Sequence, residues 1–293
     1  MKETHRFISG ILFFFAFLTS LLIIFILFFL LSYGLKIFQF ISFKDFFLNP
    51  VWNPTGYFKN DYGLLPNLWG SFLVTSLALI IAVPFGIFSA IFLSEELRKI
   101  TWLYNLTKGI IELFAAFPSV IIGLFGLVYL APLIQKIFSL SSGLCVLNGG
   151  IILALMSLPT IISLCEASIS QVPLTYKEAS YALGVSRFQT TLKIVLPTAK
   201  SGIIAGILLG FGRAIGETMA MLMVLGNSPI IAKSLFQPTR TLTTTIAIEM
   251  GETAKNTPHF FALFMLGVVL FIISFIVNLI GNYFAQKRIK III

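Results

Sequence analysis

Two ionisable residues stand four apart in a stretch otherwise suited to hydrocarbon: Arg213 and Glu217, within SGIIAGILLGFGRAIGETMAMLMVLGN. At about 100° per residue on a continuous helix, Ala199, Gly202, Gly206, Gly210, Arg213, Glu217 and Ala220 fall within an arc of roughly 80°. One face is then both small and charged. Small residues at this spacing let helix backbones approach closely, while a charge at mid-membrane costs about 2.5–3.5 kcal/mol on insertion scales. That cost argues against an idle pair. Two readings stand. In one, Arg213 lies along an anion path, its planar guanidinium matching the oxygens of phosphate by paired hydrogen bonds, with Glu217 holding it or competing with the anion. In the other, Arg213 and Glu217 pair along the helix as a helix–helix clamp.

A second constellation is polar and lies between apolar stretches: EASYALGVSRFQTTLKIVLP, residues 178–197. Glu178, Ala179 and Ser180 open it, Gly184 follows after three residues, and Ile194 and Pro197 close it after nine more. Residues 178–186 are expected to hold a short helix whose face of Ala179, Ala182 and Leu183 is small enough for close approach. The turn falls at 184–186, because glycine tolerates backbone angles that other residues avoid. Such an element reads as a docking helix.

The rest of the chain must place these groups in or beside a membrane. Of its 293 residues, 58% are hydrophobic and 11% charged, against about 25% charged in soluble domains. Six stretches approach the roughly 20 apolar residues a spanning helix needs: 7–31, 68–93, 113–137, 149–169, 199–225 and 260–284. The first is too long for the apolar core of a signal peptide and is expected to remain as an anchor facing lipid. The expected class is an all-α polytopic membrane protein of six transmembrane helices. It divides into an N-terminal helix and outer segment (1–67), a membrane core (68–284) and a basic tail (285–293). Segment 94–111 reads as a solvated connector, and Trp52, Tyr57, Tyr62 and Trp69 as anchors at the outer water boundary.

The net charge of +9 follows topology. With the N-terminus inside, the basic residues at 2–6, 98–108, 177–200 and 287–290 number twelve, against seven in the outer segments. Both termini and the 178–197 loop are therefore expected in the cytoplasm, and nucleic acid is not an expected partner. Cys145 and Cys165 stand at opposite ends of one helix, about 30 Å apart, too far to pair. Glu166, near the inner end of that helix, reads as structural. His5 and His259 are the two histidines and fall on opposite sides, so no clustered metal site is expected. No G-x-x-x-x-G-K-[ST] phosphate loop occurs, and no G-x-S-x-G nucleophile turn. The chain is expected to be no enzyme, with no catalytic residue and no cofactor of its own.

The 178–197 spacing resembles the EAA loop of ABC importer permeases, E-A-A, three residues, G, nine residues, I-x-L-P, with Ser180 where that family usually has alanine. Together with FPSVIIGLFGL, GRAIGETMAMLMVLGN, SLFQPTRTLTTTIA and WNPTGYFKNDYGLLPNLWGS, it resembles the PstC family of phosphate importer permeases across nearly the whole chain. That resemblance implies a type I ABC importer permease (MetI-like) architecture in the bacterial cytoplasmic (inner) membrane. It implies phosphate translocation through Arg213 and Glu217, with Glu178, Ala179, Ser180, Gly184, Ile194 and Pro197 coupling to an ATPase. The partners it implies are a second permease, a cytoplasmic ATPase dimer that uses ATP and Mg²⁺, and an extracytoplasmic phosphate-binding protein. The rival readings are the partner permease of the same importer, a permease for another oxyanion, and a membrane adaptor or sensor that moves nothing.

Overall fold

Phe, Leu and Ile crowd the first helix, α1 (Lys2–Gly34), and in the computed structural model residues 9–26 are all exposed, as a lipid-facing anchor requires. The structure describes residues 2–56 and 59–287; Tyr57 and the basic stretch 288–293 lie outside them. After a short 3₁₀ turn come α2 (Phe43–Leu48), capped by the Ser42 side chain, and an antiparallel pair, β1 (Trp52–Asn53) with β2 (Asp61–Tyr62). Trp52 and Tyr62, expected at the water boundary, are instead buried, because they face each other across this hairpin and pack on the N-terminal end of the last helix.

The second span opens with α3 (Leu65–Ile91) and continues through a π turn, Phe92–Glu96, into Leu97–Lys99. The expected solvated connector is mostly helix: α4 covers Thr101–Ala116. It stops at Pro118, whose extended backbone the ring of proline favours. The third span therefore begins at Ser119 rather than 113, as α5 (Ser119–Phe125), a π turn Gly126–Leu130 and α6 (Ala131–Ile137). The fourth is α7 (Val146–Ser170).

Two short helices follow, α8 (Leu174–Ala182) and α9 (Arg187–Thr190), and α9 runs on through a π turn, Thr191–Val195, into α10 (Leu196–Ile215). Pro132 and Pro197 each stand two residues beyond a π turn. Lacking an N–H, each leaves one bond of the helical ladder unmade, and the turn ahead of it widens. The chain then forms α11 (Met219–Val224), α12 (Leu242–Glu249) and α13 (Pro258–Lys287). Among the described residues, six helices are long and apolar enough to cross a membrane.

The core is built around α7, which α3 and α10 enclose. Glycines set the spacing. A Cβ added to Gly86 of α3 would lie 2.6 Å from Ile161 Cγ2, and one added to Gly210 of α10 would lie 2.7 Å from Ile161 Cγ1. Ile161, fully buried, is thus held between backbones from two helices. In lipid, where apolar burial gives little drive for helix association, such close packing is what holds a bundle together. On the outer flank, α1 packs along α13.

Candidate functional site

Arg213 occupies the last turn of α10, and the helix then ends. The expectation of one helix over 199–225 is corrected: α10 stops at Ile215, residues 216–218 form a break, and α11 starts at Met219. Gly216 lowers helix propensity there. The Thr218 hydroxyl donates to the Gly216 carbonyl (3.2 Å), giving the backbone an alternative to the ladder. The break changes the pair. Arg213 Nη1 donates to Thr160 Oγ1 of α7 (3.1 Å), whereas Glu217 Oε1 accepts from the Ala220 amide (3.2 Å) in the first turn of α11. A carboxylate there meets the positive end of the peptide dipoles. The Glu217 carbonyl accepts from the Thr243 hydroxyl (2.8 Å), so the break is also tied to the start of α12.

Gly202, Gly206 and Gly210 are buried, and Gly206 and Gly210 face α7, where a Cβ at Gly206 would fall 3.0 Å from Leu164 Cβ. Arg213 leaves this seam exposed. It carries a hydrogen bond but, among the described residues, no ion pair. The threonines of the LTTTIA stretch and Thr241 before it are engaged inside the protein. Thr241 and Thr244 form a reciprocal cap on α12, and Thr245 donates to Asn67 Oδ1 (3.0 Å).

The polar loop folds as a helix, a turn and a second helix. Its first helix is displaced from 178–186 to Leu174–Ala182, because Pro173 starts it and Gly184 stops it. Gly184 has φ +77°, its N–H donates to the Tyr181 carbonyl (2.9 Å) and the Val185 N–H donates to the Ser180 carbonyl (3.2 Å). This is a Schellman ending, whose left-handed residue is normally glycine. Ser180 is buried with its hydroxyl 2.9 Å from that of Thr190, which closes α8 on α9. An alanine could not make that bond. Glu178, Ala179 and Gly184 are exposed, as are the apolar Tyr181, Leu183 and Phe188; Leu183 is 83% exposed. Ile194 lies in the π turn and Pro197 just past it, so these two shape the helix that leaves the loop.

Three clusters carry no motif. Lys177 Nζ meets Glu95 Oε1 at 2.6 Å, linking α8 to the end of the α3 span. Glu166 is buried rather than near water, and takes hydrogen bonds from Tyr104 (3.0 Å), Lys108 (3.3 Å) and Ser170 (2.9 Å). The bond from Lys108 to the Tyr104 hydroxyl, with Glu166 beyond it, holds the ammonium above the usual lysine range against the opposing effect of burial. The i,i+4 spacing of Tyr104 and Lys108 was the available signal for this tie. Beside the β1–β2 hairpin, Glu249 meets Arg240 Nη1, His259 Nε2 (2.8 Å) and Trp52 Nε1 (3.1 Å). No sequence motif announces Trp52, 197 residues from Glu249, as its partner.

Residues 82–290 match the family model described as binding-protein-dependent transport system inner membrane component. The chain is similar to the probable ABC transporter permease protein YqgH of Bacillus subtilis (strain 168), with 38% identity over 244 residues covering 83% of this chain and 78% of that one. It is similar to the phosphate transport system permease protein PstC of Mesorhizobium japonicum, 35% identical with 83% and 78% covered. A probable PstC of Methanocaldococcus jannaschii is 34% identical with 83% and 82% covered. Among solved structures, the MetNI methionine ABC transporter in an inward-facing form shares the fold, with a TM-score of 0.55, 18% identity, and 75% of this chain and 93% of that one covered.

Proposed function

The chain belongs to the family of binding-protein-dependent transport system inner membrane components, and from that membership we propose that it is a permease subunit of an ATP-driven phosphate importer. It is a multi-pass membrane protein. In the proposed complex it lies in the cytoplasmic membrane with both termini inside, beside a second permease. An external phosphate-binding protein delivers the anion, and a cytoplasmic ATPase dimer supplies ATP and Mg²⁺ chemistry.

The observation that carries the reading is that Arg213, in the last turn of α10, does not pair with Glu217, which lies within the break at 216–218. A clamp would consume the guanidinium. Here Glu217 is held by Ala220 and Thr243, and Arg213 keeps donors beyond the one given to Thr160. A guanidinium has five N–H donors, enough to replace part of an oxyanion's hydration shell. The PstC names of relatives support phosphate as that oxyanion. For docking, the support is the exposed apolar set Tyr181, Leu183 and Phe188 around Gly184.

The test is ATP-driven phosphate uptake by the reconstituted complex in vesicles. Arg213→Ala is expected to abolish uptake while the ATPase subunits remain bound. Uptake at the wild-type rate in that variant would remove Arg213 from the path, and equal uptake of another oxyanion in competition would transfer the reading to that substrate.

A further inference from the structure

The α8–α9 hairpin is continuous in one direction with a single helix, Arg187–Ile215, that ends at the Arg213 break. A push on α8 reaches α10 through the backbone. It has no such covalent route to α3, the other helix that encloses α7. The two are 82 residues apart at the point where they meet, Lys177 and Glu95.

The contact there is an ion pair with unusual shelter for a cytoplasmic loop. The side chains of Lys177 and Glu95 are 13% and 14% exposed, and Nζ lies 2.6 Å from Oε1. Charge-assisted bonds of this length are directional and among the stronger ones. Loss of one partner leaves the other charge sheltered from water without a counterion. Both residues line a cavity of about 980 Å³ between the inner end of the α3 span and the hairpin, with Phe92, Tyr181 and Phe188 among its walls. The hairpin is therefore not packed tightly against the helix it must move. Glu95 sits in the π turn Phe92–Glu96, and the hairpin's far side carries a second, Thr191–Val195. Widened turns of this kind recur at functional sites.

We infer that the Lys177–Glu95 ion pair is the joint that transmits displacement of α8 to the α3 span, so that α3 and α10 move together on the two sides of α7. Lys177 and Glu95 are positioning residues, and the inference rests on the reading of α8 as the ATPase-docking helix. Without the joint, α8 drives α10 alone, and ATP turnover proceeds without matched movement of α3. The pair then sets how much transport each ATP yields, rather than whether the ATPase binds.

The experiment uses the complete complex in vesicles, with phosphate uptake and ATP hydrolysis measured on the same preparation for Glu95→Gln, Lys177→Met and the exchanged pair Glu95→Lys with Lys177→Glu. The single variants are expected to retain the ATPase subunits and hydrolyse ATP, with phosphate moved per ATP lowered about tenfold. The exchanged pair is expected to return that ratio to within about threefold of wild type. Wild-type ratios in the single variants, or an exchanged pair no better than either, would overturn the joint. So would loss of the ATPase subunits from the single variants, because the pair would then build the docking surface. Failure of the underlying reading looks different: the unaltered complex would move no phosphate, or would bind no ATPase through α8.

Discussion

Arg213 and Glu217 are four residues apart and do not pair: the guanidinium turns to Thr160 on α7, and the carboxylate turns forward to the Ala220 amide across the break. Each is held by a neighbour that leaves its charge uncancelled. The arrangement keeps a cation available beside a seam of glycines.

Substitutions should therefore separate charge from shape at Arg213. Lysine keeps the charge but loses the planar fork. One charge-assisted hydrogen bond is worth about 1.5–3 kcal/mol, or roughly tenfold to a hundredfold in rate. Arg213→Lys is expected to lower phosphate uptake by about that factor, and Arg213→Ala by more, with ATPase binding unchanged in both. Uptake by vesicles under saturating ATP is the measurement: a wild-type rate in Arg213→Lys would contradict a role for the fork, and equal low rates for the two variants would contradict a role for charge alone.

The glycine seam should rank its own substitutions. A Cβ at Gly210 would press within 2.7 Å of Ile161, which Gly86 already confines from the other side, whereas one at Gly206 would stand 3.0 Å from Leu164 Cβ. Gly210→Ala is expected to destabilise the protein by about 1–2 kcal/mol, outweighing the gain of about 0.5–1 kcal/mol in helix propensity. Gly206→Ala should cost less. Thermal unfolding in detergent gives the order, which would reverse if the seam were loosely packed.

Gly184 tests strain against surface. Its φ of +77° penalises any side chain, yet nothing lies within 4 Å of an added Cβ. Gly184→Ala should cost about 1–2 kcal/mol at the helix end and leave the complex assembled. Gly184→Trp adds bulk to the exposed face and should release the ATPase subunits. Co-purification distinguishes the two, and full retention with tryptophan would place the docking surface elsewhere.

The Lys108 tie gives a dependence on pH. Its folded pKa is raised, so its contribution is complete below the unfolded value, about 10.4, and is lost as pH rises through the folded one. The α4–α7 contact should be constant between pH 7 and 9 and loosen only in stronger alkali. Lys108→Met should loosen it throughout. A spin label replacing exposed Trp102 on α4 would report the change as increased mobility.

The spans and the polar loop were legible in the sequence because long apolar runs and a motif of fixed spacing survive any local detail. The break after Ile215 was not. A window averaged over GRAIGETMAMLMVL stays apolar, and three residues at 216–218 barely lower it. Ser180 read as a departure from a pattern, and its reason lies ten residues on, in the Thr190 hydroxyl. Glu95 and Lys177 each look like ordinary loop charges until the fold brings them to 2.6 Å. Local spacing reveals local partners; pairs such as Trp52 and Glu249, 197 residues apart, depend on the tertiary arrangement.

The hub at Glu249 has a mechanical corollary. Its carboxylate fastens Trp52 of the hairpin, Arg240 and His259 to one end of α12, while Thr243 at the other end grips the Glu217 carbonyl. The β1–β2 hairpin, α12 and the start of α13 are thus riveted into a single plate with the break as its hinge pin. Anything that tilts the β1–β2 hairpin therefore pulls on the Glu217 peptide unit, where α10 gives way to α11.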